Sequence, residues 1–138
     1  MARYINTASP GKQRNQARRT IAEILRHLMS KGALDAEARD MAAAIVYALR
    51  EIDESIELTT EAWEKRDYFL KADKFRLEWE WARPAATRLE GLLREARWDQ
   101  LPLELAALAG RFADVKIVKF TRSEEAWRGN YQSLMQEG

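Results

Sequence analysis

Between Tyr68 and Leu93 the apolar positions Tyr68, Ala72, Phe75, Trp79, Ala82, Ala86, Leu89 and Leu93 advance in alternating steps of four and three. That spacing holds side chains on one face of a helix with 3.6 residues per turn, whereas a strand needs alternation with a period of two. The same rhythm recurs elsewhere. Ala17, Ile21, Ile24, Leu25 and Leu28 share one face, as do Met41, Ile45, Leu49, Ile52, Ile56 and Trp63, and then Leu101, Leu105, Leu108 and Phe112. Only 3 Pro and 6 Gly interrupt the 138 residues. Ala, Leu, Glu and Arg, which lose least on entering a helix, fill the rest.

These patterns predict an all-α fold: a four-helix, mostly up-and-down bundle with a kinked third helix, then a C-terminal extended segment and a short fifth helix. Residues 1–11 carry Asn6, Ser9, Pro10 and Gly11 without periodicity and read as a flexible lead-in; 12–138 read as a single helical domain. The first helix is expected over 12–31, with Gly32 beyond its end, and Asp35 is placed to cap the second. The apolar phase restarts after Trp63, so a tight turn is expected near 65–67, with Asp67 capping the third helix. Pro84 lies inside that third helix, where it deletes a backbone hydrogen bond and crowds the preceding turn, so a kink is expected there. Pro102 instead suits the first turn of the fourth helix. The β-branched run at 115–120 is too short and isolated for a sheet and reads as extended chain laid over the bundle. Trp127, Tyr131 and Leu134 give the last helix its face.

Charge is unevenly laid out. The net value is +1, yet residues 1–31 hold seven basic and one acidic side chain, and 32–67 hold four basic and ten acidic. Lys12, Arg14, Arg18, Arg19 and Arg26 form a basic stripe that is a candidate phosphate-binding surface for RNA or DNA. A solvated face that attracts the acidic second helix is the simpler account of the same residues.

The sequence offers little for catalysis. Without cysteine there is neither a thiolate nucleophile nor a disulfide, which is compatible with a cytoplasmic setting. No apolar stretch approaches a membrane span, and no secretory signal is expected at the N-terminus. Glu54, Glu57, Glu61, Glu64 and Asp67 invite comparison with the carboxylate pairs of a Mg²⁺-dependent nucleotide pyrophosphohydrolase, but here they sit on one helix with no matching pair on another. The single His27 has Ile24, not Glu, three residues before it, which excludes a Glu-x-x-His di-iron element. No catalytic, cofactor-binding or metal-binding residue is therefore predicted.

Residues 61–84 carry the strongest functional signal. Opposite the stripe of Tyr68, Ala72, Phe75, Trp79 and Ala82 runs a second one of Leu70, Leu77, Trp81 and Pro84. A surface helix needs only one apolar stripe. Either the C-terminal segment sandwiches this helix, or Leu70, Leu77, Trp81 and Pro84 meet another chain. The expected function is a non-catalytic interaction module, an accessory or adaptor subunit that self-associates or packs on a protein partner through its third helix. The alternative is a nucleic-acid-binding accessory subunit that uses the basic first helix.

Overall fold

A computed structural model describes residues 9–137, all of its regular elements being helices. They are α1 (Pro10–Met29), α2 (Ala36–Glu64), α3 (Phe69–Trp79), α4 (Ala82–Arg94), α5 (Leu101–Arg111) and α6 (Asn130–Gln136), with a single 3₁₀ turn at Glu124–Ala126. Of the expected lead-in, positions 1–8 lie outside the described residues. Ser9, Pro10 and Gly11 belong to the start of α1, where the Ser9 hydroxyl accepts from the Lys12 amide at 3.2 Å and Pro10 occupies the first turn.

The 29-residue α2 is the central element. All six residues from Met41 to Val46 are buried, so this part of the helix is covered on every side, which the small side chains of Ala42, Ala43 and Ala44 allow at close range. Asp35 caps it as expected, accepting from the Ala38 amide at 2.8 Å. The buried hydroxyls of Ser55 and Thr60 donate back to the carbonyls of Ile52 and Ile56, so neither is left unsatisfied. Helix α1 runs antiparallel to α2, since Arg14 near its start reaches Ser55 and Thr59 near the far end of α2. Helix α4 also runs against α2, with Asp53 bonded to Arg83 and Arg50 to Glu90. Buried side chains from α1, α2, α4, α5 and the C-terminal residues Trp127 and Leu134 form one contiguous core.

Two turns are built differently from expectation. At residues 64–68 the amide of Tyr68 bonds to the carbonyl of Trp63 and that of Asp67 to Glu64, which is the Schellman way of ending a helix. Asp67 takes the left-handed residue of that motif (φ 63°) and so closes α2 rather than capping α3, whose N-cap is Tyr68. The same construction ends α4, with Ala96 in the left-handed position (φ 53°) and Arg97 bonded to Leu92.

The kink expected at Pro84 is sharp enough to interrupt the hydrogen-bond ladder, dividing the long third helix into α3 and α4 at Glu80–Trp81. Glu80 is the residue whose carbonyl proline's ring would crowd. Both Glu80 and Trp81 keep right-handed helical dihedrals, so the chain bends without reversing, and Pro84 falls in the first turn of α4, which has no use for its missing amide. Residues 115–123 are irregular and non-helical. After the 3₁₀ turn, Gly129 adopts φ 78° and sets the entry into α6.

Candidate functional site

The C-terminal segment decides which helix faces are covered. It lies on α1 and α2, with Arg94 at the end of α4 donating to the carbonyls of Leu134 and Glu137, and not, as one expectation had it, over the outer face that carries Leu70 and Leu77. Its anchor is Glu23, a carboxylate with no solvent exposure inside the continuous buried run Ile21-Ala22-Glu23-Ile24-Leu25. One Glu23 oxygen accepts from the backbone amides of Thr121 (2.7 Å) and Arg122 (2.9 Å). The other accepts from the Thr121 hydroxyl (2.6 Å) and from Arg19 Nε (2.7 Å). Burial alone pushes the carboxyl up, but the donors from Thr121, Arg19 and Arg122 outweigh it and hold its pKa down at about 2. A buried charge persists only with such a set of partners.

The basic stripe of α1 completes this clamp. Arg19 donates to the carbonyl of Lys119 at 2.7 Å and Arg26 to that of Val115 at 3.2 Å. Arg18 pairs with Asp114 at 2.7 Å. Arg14 lies over the Phe75 ring and is held by Ser55 and Thr59, its pKa lowered by burial and by the neighbouring Arg18. Of the five predicted phosphate ligands Lys12 and Arg26 are exposed, while Arg14, Arg18 and Arg19 are half-buried. The four arginines thus direct donors to groups of their own chain. The acidic start of α2 receives the next residues in the same way: Glu37 accepts from Trp127 Nε1, and Asp40 from the amides of Gly129 and Tyr131. His27 stacks on Phe120 with ring centroids 4.1 Å apart.

The inner face of α3 packs through Ala72, Phe75 and Trp79 of the expected stripe, whereas Tyr68 at its start is exposed. Ala72 is buried, Phe75 meets Trp63 edge-on at 5.1 Å, and Arg76 forms a two-pronged pair with Glu64 at 2.7 and 3.2 Å. That pair lowers the pKa of Glu64 and raises that of Arg76. The outer face carries Leu70, 75% exposed, and Leu77, 65% exposed. Ala72 is the only residue of α3 that is fully buried.

The other two predicted interface residues part company with these leucines. Trp81 is half-buried, its ring 5.7 Å from both Trp79 and Phe112 and covered by Arg111. The break at Glu80–Trp81 takes it off the α3 stripe and turns it onto the end of α5. Pro84 is exposed, but in the first turn of α4.

A cleft of about 490 Å³ between the end of α1 and α5 escaped the sequence reading; Leu25, Leu28, Leu34, Pro102, Leu105 and Ala109 line it. Its walls come from two stretches far apart in the chain, 25–34 and 102–109, so no single periodicity announces it. Lys31 at its edge is already held by Asp35 and Glu37. No convergent polar group equips it for chemistry. Among the described residues no group of three or more His, Asp or Glu is placed to hold a metal ion. Glu54, Glu57 and Glu61 are exposed along α2, while Glu64 is paired with Arg76. Among the described residues, no helix is long and apolar enough to cross a membrane. In comparison with known proteins, no protein-family model, curated protein or solved structure matches this chain.

Proposed function

We propose that this chain is a non-catalytic helical interaction module, an accessory or adaptor subunit that docks on protein through the outward face of α3. The observation that carries this reading is the position of the C-terminal segment. The C-terminal segment, which was expected to sandwich the third helix, is fastened instead to α1 and α2 by Glu23, Glu37 and Asp40, and among the described residues Leu70 and Leu77 face solvent. Leaving two leucines out of a core that buries most of the chain's other aliphatic residues forgoes roughly 1.5–3 kcal/mol each, a loss that docking recovers. A cytoplasmic setting belongs to the same reading and is supported by the absence of cysteine.

The nucleic-acid reading draws less support, because Arg14, Arg18, Arg19 and Arg26 hold the chain's own carbonyls, hydroxyls and carboxylates. The test is affinity capture from the source cells, with nuclease treatment, comparing the natural chain with Leu70→Glu/Leu77→Glu. Nuclease-resistant capture that the double substitution abolishes is the expected result. Equal capture by both chains would remove α3 from the reading.

A further inference from the structure

The outward face of α3 carries more than two leucines. Between Leu70 and Leu77, at the helical positions that share their face, stand Asp73 and Lys74. Asp73 is 69% exposed; among the described residues its one ion-pair contact, 3.6 Å from Arg76, is to a guanidinium that Glu64 already holds in two places. Lys74 is exposed and has no hydrogen bond or ion pair among the described residues. The stripe therefore reads Leu, Asp-Lys, Leu, and it is its own complement when reversed.

Resting on the interaction reading above, we infer that the occupant of this face is a second copy of the chain, packed α3 against α3 in antiparallel fashion about a two-fold axis between Asp73 and Lys74. In that register each Leu70 meets Leu77 of the second copy and each Asp73 meets Lys74, so one symmetric contact makes two leucine pairs and two ion pairs. The parallel arrangement is disfavoured by the same residues, since it sets Asp73 against Asp73 and Lys74 against Lys74. Lys71 and Arg76, which the antiparallel register brings level, do not confront each other. Lys71 lies over the Trp63 ring at 4.4 Å and Arg76 is drawn to Glu64, both on the side facing α2. Asp67 and Glu80, the other like-charged pair of this register, fall beyond the two ends of α3.

The leucines supply the apolar contact, and the exposed charges fix direction and register more than affinity. An 11-residue helix is only roughly 16 Å long, so the interface falls at the small end of specific ones and association is weak and concentration-dependent.

Sedimentation equilibrium of the full chain, from about 10 µM to about 1 mM, spans the affinities expected of such a contact. The weight-average mass is expected to rise from monomer towards dimer across that range. Asp73→Lys and Lys74→Asp should each weaken dimerisation at least tenfold. The combined exchange Asp73→Lys/Lys74→Asp should restore it, and an equimolar mixture of the two single variants should associate more strongly than either alone. All these positions are exposed, so thermal unfolding of each variant should match the parent and separate lost pairing from lost folding. A strict monomer at about 1 mM, or a dimer indifferent to the single exchanges, overturns the inference. A strict monomer whose α3 face is still required for nuclease-resistant capture sinks the self-pairing while the interaction reading stands; loss of both sinks both.

Discussion

Glu23→Gln removes one charge from the buried clamp and puts an amide where the carboxylate oxygens accept four hydrogen bonds. The Gln carbonyl can still accept from the amides of Thr121 and Arg122. The Gln NH₂ then faces Arg19 Nε, also a donor, and that contact becomes repulsive. A folded pKa of about 2, against an ordinary 4.5, means that folding favours the ionised over the protonated form of Glu23 by roughly 3 kcal/mol. Because the folded value is depressed, this stabilisation is fully present above the unfolded value and is lost as pH falls from about 5 through 2. Urea unfolding followed by tryptophan fluorescence should show Glu23→Gln less stable by about 3 kcal/mol at pH 7 and by only about 1 kcal/mol at pH 3, with an unchanged urea slope. Amide exchange at Thr121 and Arg122 should accelerate in the variant at pH 7, since those are the N–H groups the carboxylate holds. A loss below about 1 kcal/mol at pH 7, or one that does not shrink towards pH 3, would refute the argument that an ionised Glu23 fastens the C-terminal segment.

Arg18→Glu/Arg19→Glu should lower stability by about 3 kcal/mol in the same assay, because Arg19 is a partner of the buried Glu23 and Arg18 holds Asp114. In RNA or DNA titrations of the unaltered chain the salt slope should stay shallow. A slope matching about four or more neutralised phosphates, abolished by this double exchange, would show that the basic stripe is available to nucleic acid after all. Ala96→Gly relieves an exposed left-handed alanine and should raise the urea midpoint, by the equivalent of about 1 kcal/mol; a decrease would mean the left-handed turn is not where the strain lies.

Much of the fold is legible in the residues because helical periodicity, caps and proline are local signals. Asp35 caps α2, Pro102 stands in the first turn of α5, and Ala72, Phe75 and Trp79 of the expected stripe pack inward. Local signals also explain the errors. Asp is a frequent N-cap, but Asn and Asp also tolerate the left-handed conformation, and at Asp67 the need to end α2 prevailed. Trp81 projects onto the stripe of Leu70 and Leu77 only if the helix continues unbroken, and the interruption before Pro84 ends that projection. Glu23 had one available signal, a lone carboxylate inside an otherwise apolar run of five, which burial of the whole run accounts for.

The spacing of apolar residues by itself determined that this chain is helical, where most helices begin, and that residues 68–82 carry apolar side chains on two faces. Spacing says which residues share a face. It cannot say what covers that face, because coverage depends on bonds between residues far apart in the chain. Glu23 meets Thr121 across 98 positions. Only the tertiary structure decided that this contact, with those of Glu37 and Asp40, ties the C-terminal segment to α1 and α2. The same bonds leave Leu70, Asp73, Lys74 and Leu77 facing solvent.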